Sequence, residues 1–278
     1  MIKTNTRGIW VLLAAGLMLA ACSHRDAPVS SGEDSSHDSK QPSAQAAGLV
    51  HKVRLQADSL EEARTHVKKA DDLAQQGLLE RALISYSKAI ELDPESSEAF
   101  NNRGSIYLGM GKYEDAISDF DKALLINPRL PIVYRNRGVA YFQKGLYQEA
   151  LRDFEKALEL DPLDAEARGG RGNALFQQGA YDEAIAEYSR ALELNPLSSL
   201  LYRNRGFAYA QKGDYAKALA DLTKLVEMNP NLPLPYENRA RIYYVQGDYD
   251  NALKDLEKAQ SLGLKVQPEF LDRLRRSR

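Results

Sequence analysis

Pro94, Pro128, Pro162, Pro196 and Pro230 are each 34 residues apart, and Gly77, Gly111, Gly145, Gly179, Gly213 and Gly247 keep the same step. Ala82, Ala116, Ala150, Ala184, Ala218 and Ala252 keep it too, as do the bulky residues Tyr86, Phe120, Phe154, Tyr188, Leu222 and Leu256. Small residues mark another constant place: Ala70, Gly104, Gly138, Gly172, Gly206 and Ala240. A period this regular means that one supersecondary unit is copied, and that each copy meets its neighbours in the same way. Within "EAFNNRGSIYLGMGKYEDAISDFDKALLINP" apolar and small residues recur at helical spacing on both sides of Gly111, and a proline closes the second run. Each unit therefore reads as a helical hairpin. Gly104 and Ala116 are small where its helices must approach, while Tyr107, Phe120 and Leu124 fill the space beyond. One hairpin cannot cover both of its apolar faces, so the hairpins must stack.

The pattern resembles the tetratricopeptide repeat, a 34-residue unit with a small residue at position 8, an aromatic at 11, Ala at 20, an aromatic at 24 and Pro at 32. The match covers residues 63–266 as six units that begin at 63, 97, 131, 165, 199 and 233. The resemblance implies an all-α chain: a right-handed superhelical solenoid of six hairpins over 58–266, followed by a capping helix over 267–278. Ser59 and Glu62 are expected to form a capping box that starts the first helix. Leu264 stands where a sixth proline would, and Pro268 opens the final helix, with Phe270, Leu271 and Leu274 on one side. Its arginines, Arg273, Arg275, Arg276 and Arg278, suit a solvated cap or a contact with anionic lipid or a partner.

The N-terminus reads as an address. "MIKTNTRGIWVLLAAGLMLAAC" begins with Lys3 and Arg7 and continues with an apolar run from Ile9 to Ala21, the layout of a secretory signal peptide over 1–21. Leu19-Ala20-Ala21-Cys22 resembles the lipobox of bacterial lipoproteins, which implies cleavage before Cys22 and acylation of that residue; the alternative is an ordinary signal peptide that happens to end in cysteine. Ser23, not being Asp, resembles the outer-membrane sorting pattern and implies a periplasm-facing lipoprotein, with the inner membrane as the other destination. Residues 22–57 are rich in Ser, Ala, Gly, Pro and charge and show no period, so a disordered tether is expected, with a reach of roughly 30 Å.

Composition narrows the function classes. Cleavage before Cys22 removes Lys3 and Arg7 and takes the formal net charge from −2 to −4, against the surplus of cations that nucleic-acid binding needs. With one cysteine the chain has no intrachain disulfide or Cys-based zinc cluster, and its four histidines, His24, His37, His51 and His66, have no partners at metal-ligand spacing. No metal, cofactor or small-molecule substrate is expected.

"RNRGVAYFQKG" at 135–145 returns as "RNRGFAYAQKG" at 203–213, and its second arginine belongs to a wider pattern. Arg103, Arg137, Arg171, Arg205 and Arg239 occupy position 7, and the same units carry Asp119, Asp153, Glu187, Asp221 and Asp255 at position 23, whereas the first unit has Lys69 and Ser85. In a hairpin that turns near position 15 these places lie opposite each other. Ion pairs within each unit are expected, because pairing to the preceding unit would bring Arg103 to Ser85.

The resemblance also implies that the first helix of each unit lines a concave groove through positions 2, 5, 6, 9, 12 and 13. Carried over, the lining includes Asn102, Arg135, Asn136, Val139, Phe142, Asn173, Phe176, Gln177, Arg203, Asn204, Phe207, Asn238, Arg241 and Tyr244. The asparagines could hold the backbone of an extended peptide and the aromatic residues its side chains; alternatively both simply serve the packing between repeats. The family's clamp for chaperone tails is not satisfied, since Arg135 is followed by Val139, Gly170 and Leu200. Gly169 and Gly170 in "ARGGRG" are either drift or a hollow that admits a ligand backbone.

Together these features point to a non-catalytic, lipid-anchored adaptor that binds a protein or peptide segment, in assembly of an envelope complex. An envelope hydrolase acting on peptidoglycan or peptides, and a self-assembling structural component, are the alternatives.

Overall fold

Thirteen helices occupy the described residues, and a turn glycine separates the two helices of each repeat. The computed structural model describes residues 44–276, without side-chain detail for 44–51, 268–270 and 273. The signal segment, Cys22, the tether as far as residue 43, and Arg278 lie outside the described residues, as do the side chains of Phe270 and Arg273. The helices are α1 (Ala44–Gln75), α2 (Leu79–Leu92), α3 (Ser97–Gly109), α4 (Tyr113–Ile126), α5 (Pro131–Gln143), α6 (Tyr147–Leu160), α7 (Ala165–Gln177), α8 (Tyr181–Leu194), α9 (Ser199–Gln211), α10 (Tyr215–Met228), α11 (Pro233–Gln246), α12 (Tyr249–Ser261) and α13 (Pro268–Arg276). The first twelve form six stacked hairpins, each with an A helix (odd-numbered) and a B helix, and α13 follows. Residues from Val50 onward form one unit; of the unit that ends at Leu49, only the first turns of α1 are described.

Local chemistry sets the boundaries. The turn glycines, such as Gly111 at φ 74° and Gly247 at φ 84°, adopt the left-handed conformation that ends an A helix and lets the chain reverse. A helices begin where Ser96, Asp164 and Ser198 accept the backbone N–H of Ala99, Ala167 and Leu201 at 3.2, 2.9 and 3.4 Å, or where Pro131 and Pro233 occupy the first turn.

Packing inside each hairpin explains the small residues. A side-chain carbon at Gly104 would stand 2.9 Å from Cε1 of Phe120, and one at Gly172 would stand 2.6 Å from Cε1 of Tyr188. The B-helix ring therefore lies directly on the A-helix backbone, and the constant alanines Ala82, Ala116, Ala150, Ala184, Ala218 and Ala252 are fully buried beside it.

The N-terminal boundary departs from the sequence expectation. Residues 44–57, read above as part of an irregular tether, are helical, and α1 runs through Ser59 without a break. Ser59 is therefore not an N-cap: its hydroxyl donates to the carbonyl of Leu92 at 3.2 Å. Ala, Gln, Leu, Lys and Arg in this stretch are good helix formers, and a helix already nucleated by packing at Ala63 and Val67 extends back through them. Val53 and Leu55 on this extension are more than half exposed.

Position-7 arginines fasten the array. Arg103, Arg137, Arg205 and Arg239 each hold the opposite aspartate with two hydrogen bonds of 2.7 to 2.8 Å, to Asp119, Asp153, Asp221 and Asp255. Each also donates backwards through a third nitrogen to the B helix of the preceding repeat: Arg103 to Ser87 at 3.0 Å, Arg137 to Asp121 at 2.6 Å, Arg205 to Ser189 at 3.0 Å and Arg239 to Thr223 at 3.2 Å. The acceptor lies two residues beyond the place considered from sequence, so pairing inside the unit and contact with the preceding unit coexist. Hydrogen bonds to the aspartates hold the Arg103, Arg205 and Arg239 guanidinium groups above their ordinary pKa.

The fourth repeat is looser. Glu187 is one methylene longer than aspartate, and Arg171 reaches it with a single contact of 3.5 Å. Arg168 at 3.5 Å and Arg190 at 3.4 Å share the same carboxylate. At the C-terminal end α13 continues the array, with Leu271 and Leu274 buried against the last hairpin. Arg275 contacts Glu257 at 3.1 Å, the residue equivalent to Asp121 two hairpins on from α7.

Arg137→Ala strands the buried Asp153 carboxylate and should lower the unfolding free energy by about 3 kcal/mol. Arg171→Ala leaves Glu187 with two other arginines, and its loss should be about 1 kcal/mol or less. Denaturant titration of the two variants checks the order, and equal losses would overturn this account of the fastening.

Candidate ligand-binding groove

The A helices present the groove residues, but their side chains do not share one environment. Most of the asparagines are engaged between repeats. Asn102 donates to Asp71 at 3.3 Å, and Asn136 donates to Asn101 and to Ser105, both at 3.3 Å. Asn204 donates to Asn173 at 2.8 Å, and the same amide oxygen accepts the Tyr188 hydroxyl at 2.9 Å. Burial pushes the Tyr188 pKa up, so this hydroxyl stays a donor. Tyr86 donates to Asp71 in the same manner. The rule is that a position-6 amide reaches back to a polar position 9 in the preceding repeat. Before Asn238 that place holds Phe207, which offers no acceptor, and Asn238 makes no side-chain hydrogen bond among the described residues.

The groove arginines diverge. Arg135 donates to Asp164 at 2.8 Å and lies 3.1 Å from Glu166. Arg241 is exposed and meets Glu237 at 3.3 Å. Arg203 is exposed, and its one side-chain hydrogen bond among the described residues is 3.3 Å long, from Nε to the side-chain oxygen of Asn204.

Phe142, Phe176 and Phe207 are half-buried, and Tyr244 is exposed. Phe142 packs on Tyr147 at 5.5 Å between ring centroids, Phe176 on Tyr181 at 5.4 Å and Tyr244 on Tyr249 at 5.7 Å, so each ring keeps one side against its own hairpin. Phe207 packs against the buried cluster of the fifth and sixth repeats and Val139 against that of the third.

These side chains gather into three recesses. The central one, about 250 Å³, is lined by Phe142, Asn173, Phe176, Gln177, Tyr188, Leu200, Arg203, Asn204 and Phe207. Arg241 and Tyr244 belong to a second, about 590 Å³, closed by Leu256, Leu264, Val266 and the segment that leads into α13. Asn102 borders a shallow third with Asp71, Tyr86 and Ser105. Arg135, Asn136, Val139 and Asn238 line none of the three. Leu200 and Tyr188 were absent from the sequence-derived lining. Leu200 could have been found, since it stands at position 2 of its unit; Tyr188 could not, because its ring enters from the B helix.

The double glycine is not a hollow. A side-chain carbon at Gly170 would stand 2.5 Å from Cζ of Phe154, and one at Gly169 would stand 3.0 Å from Cδ2 of Leu201. The Phe154 ring from the preceding repeat fills the space that Gly170 leaves, and Gly169 is buried. Both glycines accommodate neighbouring side chains, and neither opens the groove to a ligand backbone.

Tetratricopeptide repeat family models match residues 135–199, 170–233 and 203–263, and also 97–130 and 70–111. The chain belongs to the tetratricopeptide repeat family. Proteins of this family are generally interaction scaffolds, and the fold is typically non-catalytic. The sequence matches none of the curated proteins. Similar solved structures include a tetratricopeptide repeat protein from Parabacteroides merdae, at 28% identity over 77% of this chain and 83% of that one, TM-score 0.58. YrrB, described as a repeat protein with an unusual peptide-binding site, is 30% identical over 64% of this chain and 92% of its own, TM-score 0.53. Pseudomonas aeruginosa pilF, at 18% identity, shares the fold over 80% of this chain and 100% of its own, TM-score 0.67.

Gly170→Ala should lower the melting temperature even though alanine favours a helix over glycine by about 1 kcal/mol, because the added carbon meets the Phe154 ring. In a Phe154→Leu background the same change should be neutral or stabilising. Thermal melts of the single and double variants followed by circular dichroism check this.

Proposed function

We propose that this protein is a non-catalytic adaptor of the bacterial envelope, held by an acylated Cys22 in the outer membrane with its repeats facing the periplasm, and that it grips a protein or peptide segment in the groove of its A helices during assembly of an envelope complex. The observation that carries the binding reading is the central recess. Three half-buried phenylalanines, Phe142, Phe176 and Phe207, surround it beside amides already aligned by contacts between repeats. Such a surface takes side chains from an extended segment at little ordering cost, because its own rotamers are fixed by packing. The peptide-binding site of YrrB supports the same use of the fold. The anchor reading is supported by the sequence alone, through the apolar run and Leu19-Ala20-Ala21-Cys22.

A photo-crosslinking residue in place of Gln177, which is exposed and borders the central recess, should capture a discrete partner in living cells, and one in place of the exposed Leu125 on α4 should not. The same captured set from both sites would sink the groove reading, and capture of this chain alone would turn it toward self-assembly. Cys22→Ser should abolish labelling by radioactive palmitate and move the protein from the membrane to the soluble fraction. Unchanged labelling would refute the anchor.

A further inference from the structure

Arg135 and Arg203 stand at the same place in their repeats, yet only one has a carboxylate. Arg135 is held by Asp164 and Glu166. One period after Arg203's own unit begins, the equivalent places hold Leu232 and Leu234, which are 54% and 57% exposed. Among the described residues of α5, α7, α9 and α11, every other arginine has a carboxylate within 4.0 Å, and these helices contain no lysine. Arg203 is their one cation without such a partner, and it sits on the rim of the central recess.

Chemistry at that rim is asymmetric. Arg203 spends Nε on the Asn204 oxygen and keeps its terminal nitrogens available; Asn204 spends one amide hydrogen on Asn173 and keeps the other. Phe142, Phe176 and Phe207, with Leu200, supply the apolar lining of a volume of about 250 Å³, below the roughly 300 to 1,000 Å³ of small-molecule sites and suited to one or two side chains. Resting on the groove reading proposed above, we infer that the central recess is a subsite for a peptide carrying a carboxylate next to an aliphatic or aromatic residue. Arg203 takes the carboxylate through charge-assisted hydrogen bonds, and the rings take the apolar neighbour. Arg203 thereby sets specificity: its twin Arg135, already neutralised, contributes none.

Three libraries of acetylated, amidated heptapeptides test this, degenerate at the flanking positions and carrying Glu, Gln or Lys at the centre, with the full-length protein in detergent. Wild type should retain the Glu library about tenfold better than the Gln library, a difference of about 1.4 kcal/mol. Arg203→Gln should erase that preference, Arg203→Glu should transfer it to the Lys library, and Arg135→Gln should leave it intact. All three variants must keep the fold, as seen from a cooperative melt; Arg203 makes no ion pair to lose. A Glu preference that survives Arg203→Gln overturns the inference. Retention that ignores the central residue yet falls in Phe176→Ala overturns it while leaving the groove reading in place. Failure of wild type to retain any library overturns both.

Discussion

A guanidinium joining three helices is the contact on which the stack depends. An A helix that brought Arg137 into the hairpin interface without Asp153 opposite would bury an unpaired charge, and a B helix that brought Asp153 without Arg137 would do the same, so the two must fold together. The third bond, to Asp121, extends this requirement to the preceding repeat. Aromatic rings enclose the group further: Arg137 lies 5.6 Å from the Tyr134 ring centre and 5.8 Å from that of Tyr141, and Arg205 lies 5.8 Å from Tyr202 and 6.0 Å from Tyr209. Nearest-neighbour coupling in a solenoid is usually argued from apolar contact. Here it also has a directional, charged component that fixes how one repeat sits on the next.

The fourth repeat departs from every part of this arrangement. Its acid is Glu187, its arginine has Arg168 and Leu175 where the others have rings, and its A helix carries two adjacent glycines. Two buried polar atoms without a hydrogen bond, Nε of Arg168 and Oε2 of Glu187, lie here, the second held only by the 3.5 Å ion pair to Arg168. Its A helix also supplies Asn173, Phe176 and Gln177 to the central recess. A repeat array can absorb locally weaker fastening because each neighbour is fastened independently. The coincidence of the loosest repeat with the central recess is what singles out the fourth and fifth repeats.

Much of the architecture was legible because the period isolates each constraint. Gly at the turn, Ala and Gly at the crossing and Pro after the second helix have local causes, so six repetitions of the first two and five of the third leave little freedom. The pairing of position 7 with position 23 was legible for the same reason, since Lys69 and Ser85 depart from it together. What could not be read depends on residues that the period does not relate. Phe154 fills the space at Gly170 only because its ring tips toward the following repeat, and the helical extension before Ser59 arises from propensity propagated by packing elsewhere. An asparagine at position 6 looks like a groove residue in every copy, yet whether its amide is free depends on position 9 of the repeat before: Ser105 engages Asn136, Asn173 engages Asn204, and Phe207 leaves Asn238 alone.

The two "RNRG" motifs follow from the same logic. The same residues at the same places on equivalent helices acquire different chemistry because the next junction reads Asp164-Ala165-Glu166 in one case and Leu232-Pro233-Leu234 in the other. In the first, Arg135 helps hold the junction and its charge is spent within the protein. In the second, a proline starts the helix without any need for an acidic cap, so no carboxylate is present to neutralise Arg203. The way a helix begins thus decides whether an arginine 29 residues earlier faces inward as scaffold or outward as a reader of charge. In a repeat protein, specificity need not require a new residue in the groove; it can arise from deleting the partner of an old one.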